Sequence, residues 1–147
     1  MSRVETSSKA SDLCERTTDP VRLIMSSPVA TLDVGATMQE ASEEMVRNDI
    51  GVVLVSDGAR TGLISERDVV AVLGALGGSA TTQIGQIATW DLVWAAPEDS
   101  IAVVAALMLE ANVRHIPIGD RHGEAIGIVS IRDVLTVFAA DRRANAS

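Results

Sequence analysis

Two stretches of the chain carry the same alternation of apolar and polar positions. The first opens with a short β-prone run, Pro28 to Leu32, followed by TMQEASEEMV. Thr37 and Glu40 have the spacing of a capping box, and Met38, Ala41 and Met45 share one helical face. IGVVLV, Ile50 to Val55, is almost wholly apolar and rich in β-branched residues, which predicts a buried strand. Asp57-Gly58 signals a turn, Thr61 to Ile64 a second strand, and Glu66 to Leu76 a helix with Gly77 as its cap. The order is β-α-β-β-α.

The second stretch repeats it. Leu92 to Ala96 predicts a strand, and Pro97-Glu98-Asp99 opens a helix that runs to about residue 111. Strands at Ile116 to Ile118 and Ala125 to Val129 flank a turn at Arg121 to Gly123, and Ile131 to Ala140 forms the last helix. Asn48 lines up with Asn112 at an offset of 64, and Asp68 with Asp133 at 65, which implies one extra residue in the second hairpin. At the smaller offset Trp94 faces Ala30 and Trp90 faces Ser26. The expected organisation is a flexible segment at 1–19, repeats at 20–77 and 84–140, a linker at 78–83 and a flexible tail at 141–147.

With 147 residues, 47% of them apolar, the chain can bury a real core. A net charge of −8 argues against nucleic acid or anionic lipid as a partner. Cys14 is the only cysteine, so no intrachain disulfide forms. The first residues lack the apolar stretch of a signal peptide, and no run is long enough to span a bilayer, so a cytoplasmic location is expected.

The chemistry concentrates in a motif that occurs twice, GLISERD (Gly62 to Asp68) and GIVSIRD (Gly127 to Asp133). Ser65 with Asp68, and Ser130 with Asp133, fit a helix cap. Gly62 and Gly127 fit relief of crowding on a strand. Capping does not require Arg67 or Arg132, since a cation in the first turn opposes the helix dipole. An anion at the helix start would use the arginine, the hydroxyl and the open N–H groups together. The residues alone fit either a cap or a ligand site.

The doubled element order, the doubled G-h-h-S-x-x-D motif (h, aliphatic) and VRHIPI (Val113 to Ile118) together resemble a tandem pair of cystathionine beta-synthase (CBS) domains, the Bateman module. The resemblance covers about Val21 to Ala140. It implies an α/β (α+β) fold of two pseudo-twofold-related β-α-β-β-α units, with clefts that bind AMP, ADP, ATP, S-adenosylmethionine or NAD. It also implies that Asp68 and Asp133 take the ribose and that Ser65 and Ser130 lie near phosphate. Arg114, His115, Ile116 and Pro117 would line a cleft with Arg67 and Arg132, and Ala30 and Trp94 are candidate adenine contacts. The first repeat, with Ile50-Gly51-Val52-Val53 as the stretch matching Arg114 to Pro117, departs from the fuller pattern, so unequal occupancy is expected.

SIAVVAALML, Ser100 to Leu109, is apolar nearly all round. Such a helix is expected to be covered on every side, which places Val103, Val104 and Leu107 at a homodimer interface. No nucleophile-base order, zinc motif or P-loop stands out, so neither catalysis nor a required cofactor or metal is expected. The expected function is a stand-alone regulatory module that senses an adenine nucleotide and acts on a separate effector protein. The alternative is a ligand-free dimerisation or adaptor module.

Overall fold

The structure, a computed structural model, describes residues 17–74 and 77–146, with side chains to residue 140. Cys14 and the rest of 1–16 lie outside the described residues, as do 75–76 at the end of the expected Glu66 to Leu76 helix. The elements are β1 (Thr31–Asp33), α1 (Met38–Asn48), β2 (Val52–Ser56), β3 (Thr61–Ser65), α2 (Glu66–Gly74), α3 (Ile101–Ala111), β4 (His115–Gly119), β5 (Ala125–Ser130) and α4 (Ile131–Ala146). Single 3-10 turns at Val21–Leu23 and Ile84–Gln86 precede the two halves. The fold is mixed α+β. One sheet has the order β1-β2-β3, with β1 parallel to β2 and β2 antiparallel to β3, and the other pairs β4 with β5 antiparallel.

Two compact units form, and neither is a continuous repeat. One is Val29–Leu92, and the other combines the residues up to Pro28 with those from Val93 onward. The lead segment of each repeat therefore packs with the other repeat's elements. Val21 is buried in a core with Ile101, Val104, Met108, Ile116, Ile118 and Val129, and Ile84 in a core with Met38, Ala41, Val53, Val55 and Ile64. Backbone pairing holds the same segments, Ser26 to Ile128 and Thr89 to Leu63. Both glycines of the repeated motif lie under this contact. A Cβ on Gly62 would stand 3.0 Å from the Thr89 carbonyl oxygen and one on Gly127 3.1 Å from that of Ser26. Close approach of backbone excludes a side chain there.

Thr17 to Asp19 fall in the stretch expected to be flexible, yet they are held. Thr17 is buried, and the Ile101 N–H donates to the Asp19 carbonyl. At the other end α4 continues through Ala146, past the expected stop at Ala140.

Equivalence between the halves is fixed by the helices and their caps. Thr37 accepts from the Glu40 N–H and Ser100 from the Val103 N–H, each at 3.1 Å. Asp49 and Asn112 end the two helices with left-handed φ of 51° and 54°. The offset is thus 63, not the expected 64. Two residues, one in the longer turn and one in a bulge beside Gly119, then raise it to 65. Both turns carry an aspartate whose pKa is lowered by backbone N–H donors, Asp57 chiefly by Arg60 and Asp120 chiefly by Glu124.

The shift of one residue changes which face of α3 is which, because each helical position turns the side chain by about 100°. Val104 replaces the fully buried Ala41, and it is itself 0% exposed. It belongs to the core of its own unit and cannot serve a dimer surface. Leu107 packs partly against the same core, and Val103 is 50% exposed. Trp94 replaces Thr31 rather than Ala30, and Trp90 replaces Ser27 rather than Ser26.

The strand expected at Leu92 to Ala96 shrinks to one parallel bridge, Ala95 to Ile118. In the first repeat the Leu54 N–H donates to Ala30 and the Val34 N–H to Ser56, extending that ladder at both ends. Their equivalents are Pro117 and Pro97, which have no N–H to give.

Val104→Ala should lower stability by about 1.5–3 kcal/mol, the value of a buried valine, and Val103→Ala should stay within about 0.5 kcal/mol. Urea unfolding of both variants reads this directly. Equal losses would show that the offset of 63 is misassigned.

Candidate functional site

Each motif sits where a hairpin opens into a helix. The last strand residue, Ser65 or Ser130, turns the chain sharply into α2 or α4. The first helical N–H is satisfied across the hairpin: Glu66 donates to the Gly51 carbonyl at 2.9 Å and Ile131 to that of Arg114 at 2.8 Å. Antiparallel pairing places His115 opposite Ser130 and Val52 opposite Ser65. Arg114, His115, Ser130 and the start of α4 thus meet at one hairpin end.

The capping arrangement is complete in both repeats. The Ser65 N–H donates to Asp68 Oδ2 at 2.8 Å, and the Asp68 N–H donates back to Ser65 Oγ at 3.2 Å. Ser130 and Asp133 make the same pair of bonds at 2.8 and 3.1 Å. The Ser65 hydroxyl also donates to Asp68 Oδ2 at 3.0 Å.

These bonds leave specific groups open. Three of the four N–H groups at each helix start are used, and among the described residues the Arg67 and Arg132 N–H groups have no acceptor. The Oδ1 atoms of Asp68 and Asp133 likewise accept no hydrogen bond there. Arg67, Arg114 and Arg132 are exposed and form no ion pair with a described residue, whereas Arg22, Arg47 and Arg60 each hold a carboxylate. Each hairpin end therefore presents a guanidinium, an N–H donor and one free carboxylate oxygen. Those are the groups needed to bind a phosphate or carboxylate together with a hydroxyl.

The remaining expected residues have distinct surroundings. Ile116 and Pro117 are buried within β4, so their side chains contribute core rather than a free face. His115 is half-buried. Ala30 is half-buried too, and its carbonyl is tied to Leu54. Trp94 is partly exposed and lies over Gly119, where a Cβ would be 3.1 Å from the indole. The motif offset of 65 pairs Glu66 with Ile131, but the wrong offset upstream concealed that Glu66 lies where Gly51 replaces Arg114. Its carboxylate covers Gly51, with Oε1 3.2 Å from where a Cβ would be. Counting from the Asp49 and Asn112 caps would have revealed the pairing of Gly51 with Arg114.

The element order, the doubled hairpin-to-helix junction and its caps define a tandem-repeat module of the CBS type. Residues 21–75 and 84–140 each match the CBS domain family, and the chain belongs to it. It is 29% identical over 115 residues to the CBS domain-containing protein YhcV of Bacillus subtilis, covering 78% of this chain and 81% of that one. A protein with CBS domains from Burkholderia ambifaria superposes with a TM-score of 0.74 at 29% identity, covering 83% of this chain and 95% of that one. A CBS domain protein from Pyrobaculum aerophilum, complexed with AMP, superposes at 0.71 with 24% identity over 82% of this chain and 98% of that one. The CBS domain pair of protein MJ0100, in complex with 5′-methylthioadenosine and S-adenosyl-L-methionine, superposes at 0.75 with 22% identity over 84% and 98%.

Without any ligand, Asp68→Ala and Asp133→Ala should each cost about 0.5–2 kcal/mol, because each releases a capped N–H. Chemical denaturation checks this. Losses indistinguishable from zero in both would mean that the caps carry no stability.

Proposed function

We propose that the chain is a regulatory module that binds an adenosine-containing ligand at its hairpin-to-helix junctions and signals to a separate effector protein. One observation carries this reading. Each junction keeps a guanidinium that pairs with no described carboxylate, next to an open helix N–H and a half-used aspartate. The guanidinium and N–H suit phosphate, and the free Oδ1 suits a ribose hydroxyl. The AMP of the Pyrobaculum relative carries both groups, and the methylthioadenosine of the MJ0100 pair carries the ribose hydroxyls without a phosphate. Roles for Ser65, Arg67, Asp68, Ser130, Arg132 and Asp133 follow from this, with Arg114 and His115 beside them; Trp94 lies over Gly119, at the other end of β4. The Ser65 hydroxyl both donates to and accepts from Asp68, which favours a scaffold role over a nucleophile. No catalytic step, required cofactor or bound metal is part of the reading. Among the described residues no helix is long and apolar enough to cross a membrane.

Self-association belongs to the same reading, on a corrected surface. Val46 and its equivalent Leu109 are 83% and 82% exposed, and Val70 and its equivalent Leu135 are also exposed. α1 touches α2 and α3 touches α4, so each unit carries one such apolar helix pair. Exposed aliphatics at matching positions of two repeats fit a symmetric contact with a second copy. Val103 lies on α3 and can extend that contact.

Because the cap is complete without a ligand, a ligand-free adaptor is the competing function. AMP, ADP, ATP, S-adenosylmethionine and NAD are the probes that separate them. At least one should raise the melting temperature, since ligand bound only to the folded state adds stability as RT ln(1 + [L]/Kd). No shift and no calorimetric heat with all five at millimolar concentration would favour the adaptor. Light scattering should give a dimer for the unmodified chain and monomers for Leu109→Glu, where a charge would have to be buried. A monomeric unmodified chain would end the dimer proposal.

A further inference from the structure

The two junctions share one scaffold and differ in charge at the same place. In the second repeat Arg114 precedes β4, and its carbonyl holds the N–H of Ile131. In the first repeat the equivalent positions are Gly51 and Glu66, joined by the same hydrogen bond. Arginine-plus-isoleucine at one end becomes glycine-plus-glutamate at the other. The Glu66 carboxylate lies over Gly51, at the root of the side chain that Arg114 has and Gly51 lacks. Neither Glu66 nor Arg114 forms an ion pair with a described residue. Helix caps nearby change in the same direction, Asp49 against Asn112. Arg67 with Asp68, and Arg132 with Asp133, are common to both ends and cancel in the comparison. His115 faces Ser130, and its equivalent is Val52, so no opposing charge enters at that position.

We propose that Arg114 and Glu66 are specificity-determining residues that sort adenosine ligands by charge: the Arg114 end takes a phosphate-bearing ligand, and the Glu66 end takes a neutral or cationic one. This rests on the nucleotide reading of the junctions. A phosphate at the Arg114 end meets two guanidinium groups, Arg114 and Arg132. At the Glu66 end it meets one, Arg67, and a carboxylate that repels it. An adenosine ligand without phosphate avoids that repulsion, and one with a positive group gains an ion pair with Glu66. Both residues are exposed, so their charge can be changed without disturbing a core.

The test is a residue-resolved NMR titration of the whole chain with AMP and with adenosine, following the amides of Glu66 and Arg67 at one end and Ile131 and Arg132 at the other. The preference for AMP over adenosine should be about tenfold or more greater at the Ile131 end, as one charge-assisted hydrogen bond allows. Arg114→Gln should remove most of that preference. Glu66→Gln should tighten AMP at its own end by about threefold or more, leave adenosine unchanged, and show less effect as salt rises. If adenosine shifts both ends while the AMP preference is the same at each, charge sorting is wrong and the nucleotide reading stands. If neither probe shifts either end, both fail.

Discussion

A single backbone hydrogen bond organises both halves of the molecule: the first helical N–H after each hairpin bonds to the carbonyl just before the hairpin's first strand. It ties the end of β3 to the start of β2, and the end of β5 to the start of β4. A helix N-terminus has orphan donors, and an end left without partners is costly when partly buried. This bond takes one donor and the serine-aspartate box takes two more. The residue before the strand and the first residue of the helix are thereby held next to each other. Only their backbones are needed for the bond, so their side chains are free to differ. Gly51 and Glu66, or Arg114 and Ile131, can then occupy one scaffold.

The lead segments act through a different contact. Each lays backbone against the motif glycine of the unit it joins, Thr89 on Gly62 and Ser26 on Gly127. An isopropyl or even a methyl group there would push the incoming strand away. In the first case Trp90 also seals the contact: its indole N–H donates to the Gly85 carbonyl, and the Arg60 guanidinium sits 4.6 Å from the ring centre. Gly62 and Gly127 are therefore explained by packing, leaving only the charged and hydroxylated motif residues for ligand chemistry.

The periodic elements were legible from residues alone. Met38, Ala41 and Met45 do face a core, and the apolar runs at Ile50 to Val55 and Ile116 to Ile118 contain buried strands. What escaped was register. Asn48 and Asn112 are the same residue type one place out of step, and the true partner of Asn112 is Asp49, a match of conformation and not of identity. Only the left-handed φ reveals it. That single step put a core valine, Val104, on the surface beside Val103, and hid the Gly51–Arg114 pair. The lost strand at Leu92 to Ala96 had its cause in view, since Pro97 and Pro117 were both visible. Their effect depends on which N–H groups the ladder would have used, which needs the same register. Exchange of lead segments has no periodic signature, because Ser26 and Thr89 are held by backbone atoms.

Capping and ligand binding are not rival explanations once the atoms are assigned. The cap consumes Oδ2 of each aspartate, the serine hydroxyl and two N–H groups, and it does so in the same way at both ends. It has no use for Arg67 or Arg132. A cation in the first turn is disfavoured by about 0.3–1 kcal/mol through the helix dipole, and neither arginine recovers this through an ion pair with a described residue. Arg47, near the end of α1, shows the favourable case: it sits at the negative end of its helix and also holds Glu44. Capping thus accounts for the serine and aspartate but leaves the two arginines opposed to their helices. An anion at the junction would offset that repulsion, since the dipole, the open N–H and the guanidinium would all attract one charge.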